Sequence, residues 1–203
     1  MLVVNNHINY EQIVSLIKSS SRVMDLGCGN GDLLKRLKQE KMAHVTGVDI
    51  SEANIIECIK KGISVVHSDI DAGLKDFKDK TYDYVILSQT IQVVQKPLYV
   101  LKEMLRVGNT AIVSFPNFGY WKIRLRLFFK GKMPVTKSLP YEWYDTPNIH
   151  LATIKDMQSL CKKNNLKIKN LILLSNKREK LVRKNKGLFY NFFASECIMV
   201  IEE

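Results

Sequence analysis

The sequence has few cysteines, and their spacing argues against two common ways of stabilising a small protein. Its 203 residues include four cysteines, no two of them spaced as C-x-x-C: Cys28, Cys58, Cys161 and Cys197. Structural zinc sites and disulfide frameworks use closely spaced cysteines, often with histidines nearby. The sequence therefore predicts no metal centre and no disulfide framework, and it favours the reducing environment of the cytoplasm.

Long apolar runs are also missing. No uninterrupted run approaches the roughly 20 residues that a membrane-spanning helix requires. The first residues, MLVVNNHINYEQ, lack a basic segment followed by an apolar one, so they do not resemble a signal peptide. The sequence contains no internal repeat and no low-complexity tract. We expect a soluble cytoplasmic protein without a membrane contact.

Acidic residues are fewer than basic ones. The chain has 31 Lys and Arg against 20 Asp and Glu, which gives a formal net charge of +11. Hydrophobic residues make up 46% and charged residues 25%, as in a folded globular protein. The positive excess suits an anionic partner such as nucleic acid, a membrane surface or an acidic protein. Residues 122–137 and 177–186 carry six basic residues each, and either segment is a candidate contact or a solvated face.

Apolar runs and helical patterns alternate up to residue 115, which is typical of β-α-β units. The helix that follows Ser51 is predicted to bury Ile55, Ile56 and Ile59. Because such crossovers join parallel strands, we predict an α/β, Rossmann-like, doubly wound sheet with its ligand at the carboxyl ends of the strands. The predicted strands are residues 22–26, 44–49, 63–67, 82–88, 110–115, 166–174 and 196–201.

The alternation breaks after the fifth predicted strand. Residues 116–152 contain four of the five prolines and both tryptophans. A connection of this length in a compact protein is often a lid or a binding loop. We therefore predict one domain, residues 1–203, in which 116–152 form a long insertion near the ligand site.

The most specific motif is a glycine-rich turn, VMDLGCGNG at residues 23–31, which follows the first strand. A dinucleotide and S-adenosylmethionine compete for such a turn. The dinucleotide fingerprint needs Gly or Ala where this chain has Asp32, whose carboxylate would repel a pyrophosphate. The methionine end of S-adenosylmethionine is cationic and matches Asp25, while Gly27 and Gly29 let the backbone approach the ligand closely.

Acidic residues stand at the ends of three successive predicted strands. Asp25 ends the first, Asp49 ends the second and Asp69 follows the third. A carboxylate at Asp49 can accept hydrogen bonds from ribose hydroxyls, and Asp69 can accept one from the exocyclic amine of an adenine. The alternative is that Asp49 and Asp69 only terminate strands at the surface. The ordered set favours S-adenosylmethionine or its product S-adenosylhomocysteine as the ligand.

Four segments carry a family resemblance. RVMDLGCGNGDLL (22–34) and YDYVILSQTIQ (82–92) resemble the class I S-adenosylmethionine-dependent methyltransferases in general. EMLRVGNTAIVSFPNFGYWKIR (103–124) and MPVTKSLPYEWYDTPNIHL (133–151) resemble, more narrowly, the methionine-biosynthesis MetW family. The resemblance implies the seven-stranded class I methyltransferase fold. The residues expected at the cofactor are Asp25, Gly27, Cys28, Gly29, Asp49, Ile50, Asp69, Ile70 and Ser88.

The resemblance also implies a role in methionine synthesis. Members of this family are similar to proteins that act as partners of homoserine O-acyltransferase. That enzyme activates homoserine by acetylation or succinylation. We expect an accessory partner of that enzyme, with a genuine small-molecule methyltransferase as the alternative. An RNA methyltransferase is disfavoured, because Ser88-Gln89-Thr90 stands where base-methylating enzymes often carry an Asn/Asp-Pro-Pro-aromatic turn.

The insertion supplies the candidate contacts for a partner or a methyl acceptor. Trp, Tyr and Arg are the residue types enriched in interface hot spots. His150 is a possible base for an acceptor, since imidazole titrates near neutrality, or it hydrogen-bonds the backbone of a lid built from the aromatic residues. No catalytic residue is assigned. The candidates are Tyr120, Trp121, Arg124, Tyr144, Asp145 and His150.

Overall fold

The computed structural model describes residues 7–136, 139, 141–175, 178–182 and 189–203. None of the helices that these residues form is long and apolar enough to cross a membrane. In chain order the elements are α1 (His7–Leu16), β1 (Arg22–Leu26), α2 (Asp32–Lys41), β2 (His44–Asp49), α3 (Glu52–Lys60), β3 (Ser64–His67), a 3-10 turn (Ile70–Ala72), β4 (Tyr82–Ser88), α4 (Pro97–Val107), β5 (Gly108–Pro116), α5 (Trp121–Lys130), α6 (Ile154–Lys163), β6 (Lys167–Ser175), β7 (Arg178–Val182), α7 (Tyr190–Phe193) and β8 (Glu196–Glu202).

The strands form one twisted sheet in the order β3-β2-β1-β4-β5-β8-β6-β7. The first five strands are parallel, and β8 runs antiparallel to both of its neighbours. This arrangement confirms the predicted doubly wound α/β fold and all seven predicted strands. The sheet has an eighth strand, β7, which pairs antiparallel with β6 at the edge. Its sequence, REKLV, shows no alternating apolar pattern. This is common in edge strands, where charged residues prevent pairing with another chain.

Two apolar layers cover the two faces of the sheet. Val85 and Leu87 of β4 point into one layer, where α4 and α6 pack, and Ile86 points into the other, where α1 and α2 pack. Successive side chains of a strand face opposite sides of a sheet. Buried strands of this kind therefore have continuous apolar sequences, as the run Val85–Leu87 has.

Helix α3 is rotated relative to the prediction. Ile56 and Ile59 are 53% and 63% exposed, so the prediction that they are buried is wrong, and the buried residue is Cys58. The side chain of Asn54 donates a hydrogen bond to Asp49, which fixes the face that α3 turns to the sheet. This polar contact spans two elements, and apolar periodicity within the helix gives no sign of it.

The predicted insertion contains α5 and is tied to the fold at Asn117, which is fully buried. The amide nitrogen of Asn117 donates to the carbonyls of Asn191 and Ala194, and its oxygen accepts from the backbone of Gly119 and Ile154. All polar atoms of this buried side chain are therefore satisfied. One side chain thus joins the start of the insertion to α6 and α7.

Candidate functional site

A cleft opens at the carboxyl ends of the parallel strands, beside the point where strand order reverses between β1 and β4. Ligands of open α/β sheets bind at such switch points. The cleft has a volume of ≈ 490 Å³, including space open to solvent. Its lining residues come from the loops after β1 to β4: Gly27, Asp49, Ile50, Ser68, Asp69, Ile70, Asp71, Thr90, Val93 and Val94.

The glycine turn is fixed to β2 by its backbone. The N–H groups of Gly27 and Cys28 both donate to the carbonyl oxygen of Val48, at 2.8 and 3.1 Å. Gly27 has a φ of 66°, and a Cβ at this position would lie 2.8 Å from Cγ2 of Thr90. Gly27 is therefore required both by its left-handed conformation and by the closeness of Thr90.

Replacing Gly27 by alanine should lower the free energy of unfolding by more than the conformational cost alone, which is about 1–2 kcal/mol for an L residue in this region. Gly62→Ala is the matched control, because Gly62 has a φ of 68° and no atom within 4 Å of an added Cβ. Urea unfolding of both variants measures the difference. If Gly27→Ala costs no more than Gly62→Ala, the Thr90 contact is unimportant, and a further Thr90→Ala change should then restore nothing.

Asp49 holds the glycine turn and the start of α3 together. One carboxylate oxygen accepts from the backbone N–H of Gly29 at 2.8 Å. The other accepts from the N–H of Ser51 at 2.9 Å and from the side chain of Asn54 at 3.1 Å. The side chain is buried at the cleft, with Asp49 only 6% exposed. Because a carboxylate has about four acceptor sites, a ligand hydroxyl can still be accommodated.

The carboxyl group of Asp25 is buried, but its hydrogen bonding is incomplete. It is 2% exposed, and its Oδ1 has no hydrogen-bond partner among the described residues. Burial, and secondarily the negative charge of Asp49, raises the pKa of Asp25 to about 8. An unpaired buried carboxyl is costly, and a cationic ligand group beside it would remove that cost. This environment suits an ammonium group and opposes a phosphate.

Asp71 is a site residue that the sequence analysis missed. Its two carboxylate oxygens accept from the backbone N–H groups of Gln95 and Lys96, each at 2.9 Å. Asp69 in turn accepts from the N–H of Asp71 and caps the 3-10 turn. The two acids therefore shape the cleft wall that ends at Val94. Asp71 lies two residues after Asp69, but its contact is more than 20 residues away in sequence, and no local pattern predicts it.

The structure brings five of the nine predicted cofactor residues into the cleft lining: Gly27, Asp49, Ile50, Asp69 and Ile70. Asp25 and Gly29 lie in the same strand end and turn, outside the lining. Cys28 is buried, with its sulfur 3.8 Å from that of Cys58. Burial raises the pKa of both thiols, so neither is activated as a nucleophile.

Ser88, the ninth predicted residue, belongs to a polar cluster at the ends of β4, β5 and β8. Its hydroxyl lies 3.1 Å from that of Ser114, which also accepts from the buried amide of Asn9 at 3.2 Å. The amides of Asn9 and Gln89 both donate to Glu196 Oε2, at 3.4 Å. Burial raises the pKa of Glu196. Serine, amide and carboxyl groups thus lie at the end of β4, just before the loop that carries Thr90.

The candidate residues at the start of the insertion have different environments. Tyr120 is 5% exposed and packs with Ile123 and Leu139 in a small apolar cluster, so its ring is not available at the surface. Trp121 is half-buried, with its ring centroid 5.9 Å from that of Tyr120. Arg124 is exposed and donates through Nε to the carbonyl of Gly119 at 2.7 Å.

The candidates at the end of the insertion are at the surface. Tyr144 is 73% exposed and stacks edge-on against Trp143, and Asp145 and His150 are also exposed. The backbone N–H of His150 donates to the carbonyl of Gln92 at 3.0 Å. Because Val93 and Val94 line the cleft, this bond brings the end of the insertion to the cleft rim. The side chain of His150 is exposed at this rim, and its proposed use as a base stays a prediction.

The chain is similar in sequence to one protein family and to several curated proteins. The profile of the family described as "Methionine biosynthesis protein MetW" matches residues 7–201. The "Bifunctional methionine biosynthesis protein MetXA/MetW" of Rhodopirellula baltica is 36% identical over 163 residues, which are 76% of this chain and 26% of that protein. The "Demethylmenaquinone methyltransferase" of Staphylococcus haemolyticus is 34% identical over 147 residues, 63% of this chain and 60% of that enzyme. The chain thus spans about a quarter and three fifths of these relatives.

Similarity to solved structures concerns the fold. A SAM-dependent methyltransferase from Thermotoga maritima, described as a possible histamine N-methyltransferase, matches with a TM-score of 0.70 at 18% identity, covering 97% of this chain and 88% of that one. An S-adenosylmethionine-dependent methyltransferase from Mesorhizobium loti matches with a TM-score of 0.70 at 14% identity, covering 98% and 100%. The sheet order, the glycine turn and these likenesses agree on the class I methyltransferase fold. By its match over nearly the whole length, the chain belongs to the MetW family of methionine biosynthesis proteins.

Proposed function

We propose that this protein binds S-adenosylmethionine or S-adenosylhomocysteine and acts in the cytoplasm as an accessory partner of homoserine O-acyltransferase. The observation that carries the partnership is the Rhodopirellula baltica relative, whose name joins MetXA and MetW in one bifunctional protein. We infer that MetXA is the homoserine O-acyltransferase part of that protein. Two activities that one polypeptide combines are held at a high effective concentration, and separate chains obtain the same proximity by binding.

Three observations support the cofactor. Asp25 has an uncompensated buried carboxyl that suits the ammonium of the methionine end. Asp49 is placed at the cleft with acceptor capacity for ribose hydroxyls, and Asp69 lies in the same lining for the adenine. The cleft is rich in carboxylates, which favours this cofactor over a dinucleotide with its pyrophosphate. When bound, the cofactor would supply either a methyl group or a signal of the methionine supply.

The insertion supports a surface contact with a partner. Trp143 and Tyr144 are 71% and 73% exposed, which is unusual for neighbouring large aromatic residues of a folded chain. Aromatic side chains with one polar atom are common at protein interfaces. Of the residues predicted for this contact, Trp121, Arg124, Tyr144, Asp145 and His150 have accessible side chains, whereas Tyr120 supports the insertion from inside.

An affinity purification tests the partnership. The tagged full-length chain is captured from a lysate of its own source, and homoserine O-acyltransferase activity is assayed in the eluate with and without S-adenosylmethionine. We expect activity to co-purify with the chain and to respond to the cofactor. A tagged chain that binds the cofactor in calorimetry but retains no acyltransferase activity would refute the partnership and leave the cofactor assignment intact.

A genuine small-molecule methyltransferase is the second candidate. The observation that favours it is the polar cluster of Ser88, Gln89 and Glu196 beside the cleft, where an acceptor could be held. The Staphylococcus haemolyticus relative is itself named a methyltransferase. Transfer of a labelled methyl group to a component of a metabolite extract would establish this activity. An RNA substrate would depend on the basic segments 122–137 and 177–186, and the second lies outside the described residues except for the backbone of Arg178–Val182.

A further inference from the structure

Few of the described residues pack against helix α5. Of its ten residues only Ile123 is buried, and it packs in the small cluster with Tyr120 and Leu139. Phe128 and Phe129 are 80% and 75% exposed. Helices of globular proteins normally turn their apolar side to the core. Within the part of the chain that the structure describes, α5 does the opposite.

Three exposed apolar residues share one side of α5. At about 100° per residue, positions i, i+3 and i+4 fall on one face of a helix. Leu125, Phe128 and Phe129 have this spacing and lie opposite Ile123. Trp121 is half-buried against the cluster of Tyr120, and Leu127 lies on the side of Ile123. We call Leu125, Phe128 and Phe129 the outer strip. Spacing of this kind is found in helices that bind by laying an apolar face into a groove of a partner.

Basic residues flank the outer strip: at about 100° per residue, Lys122 and Arg124 fall on its two sides. Residues 121–136 contain Lys122, Arg124, Arg126, Lys130 and Lys132 and no acidic residue. Arg124 donates to the carbonyl of Gly119 and lies 5.8 Å from the ring of Phe192 in α7. Arg126 donates to the carbonyl of Val135 at 2.8 Å. Both arginines are therefore held in place before any partner binds, which lowers the entropy cost of a specific contact.

We propose that α5 inserts the outer strip into an apolar groove of homoserine O-acyltransferase, and that acidic residues at the rim of that groove face the basic flanks. This inference rests on the proposed function and adds the docking element. Charge complementarity selects the occupant. A second copy of this chain would bring two uniformly basic flanks together in a symmetric interface, and their repulsion would oppose it. An anionic membrane surface would also attract the basic flanks, so vesicle binding is one of the outcomes of the test below.

Binding measurements with point variants of the full-length chain test the docking element. Phe128→Ala removes the most exposed side chain of the outer strip, and Lys122→Glu reverses the charge of one flank. Each should weaken binding to the purified acyltransferase by about tenfold or more. Ile59→Ala and Lys60→Glu are matched controls, because both are exposed residues of α3. The controls should leave the affinity unchanged, and all four variants should keep the wild-type Tm and cofactor affinity.

The outcomes separate this inference from the function on which it rests. If the wild-type chain does not bind the acyltransferase at all, the proposed function fails and the inference with it. If the wild-type chain binds and Phe128→Ala and Lys122→Glu bind equally well, only the docking element is refuted. Two other results would also overturn it: Phe128-dependent binding to vesicles of phosphatidylglycerol and phosphatidylcholine without loss of acyltransferase binding, or a Phe128-dependent dimer in sedimentation.

Discussion

The Asp25→Asn variant should be more stable than the wild-type protein at pH 8 and nearly equal to it at pH 4. The pKa of Asp25 is raised from 3.8 to about 8, chiefly by burial. Between these values the unfolded chain has released the proton that the folded chain keeps. Stability of the wild type therefore falls as pH rises through this window, by up to about 1.4 kcal/mol per pH unit from this group. Asparagine carries no ionisable proton and lacks this dependence.

Urea unfolding at a series of pH values measures the difference between the two proteins, which removes the contribution of all other titrating groups. The advantage of Asp25→Asn should grow steadily from pH 4 to pH 8 and then level off. Asp76→Asn, which removes an exposed carboxylate outside the cleft lining, is the control for the substitution itself. Parallel curves for wild type and Asp25→Asn would mean that Asp25 is solvated in solution.

Cofactor binding should couple to the same proton. A cationic group placed beside Asp25 favours the ionised carboxylate, so binding of S-adenosylmethionine at neutral pH should release a proton. The wild-type affinity should then increase from pH 6 to pH 8, and the Asp25→Asn affinity should not. Calorimetry in two buffers of different ionisation enthalpy counts the proton. No proton release at pH 7 would show that the ammonium does not lie beside Asp25.

Most of the sheet could be predicted from the sequence because buried parallel strands have continuous apolar runs. The seven predicted strands are present within one or two residues of their predicted ends. Edge strand β7 could not be predicted, since an edge strand has few buried neighbours to select apolar residues. The predicted buried face of α3 is wrong for a related reason. Two isoleucines, Ile56 and Ile59, suggest a buried face, whereas the Asn54–Asp49 hydrogen bond decides the orientation.

The candidate site also has residues that the sequence predicts and residues that it does not. Gly27, Asp49 and Asp69 could be placed in the cleft because strand ends and tight turns leave local signals. Thr90 could not, because its importance comes from contact with Gly27, more than 60 residues away in sequence. In the insertion, aromatic composition marks Tyr120 and Tyr144 equally, yet one is 5% and the other 73% exposed. Only the fold distinguishes an aromatic residue that supports a surface from one that forms it.

Replacing Asp49 by alanine should lower both the stability of the protein and its affinity for the cofactor. The variant loses three hydrogen bonds to a buried carboxylate and leaves the N–H groups of Gly29 and Ser51 unpaired. We expect the free energy of unfolding to fall by about 2–4 kcal/mol and the cofactor affinity to weaken by about 1–3 kcal/mol. Asp49→Asn keeps one acceptor oxygen and should show a smaller loss of both, and Asp76→Ala is the control for removing a carboxylate.

A chemical double-mutant cycle separates a ribose contact from an effect on the glycine turn. Wild type and Asp49→Asn are each titrated with S-adenosylhomocysteine and with its analogue lacking the 2′ hydroxyl. If Asp49 accepts a hydrogen bond from the ribose, wild type should prefer the natural ligand, and this preference should shrink in the variant, because the two groups interact directly. If Asp49 only holds Gly29 and α3 in place, the variant should bind both ligands more weakly by the same factor. If Asp49→Asn keeps the full preference for the ligand with the 2′ hydroxyl, Asp49 does not bind the ribose. Its role is then to support the glycine turn.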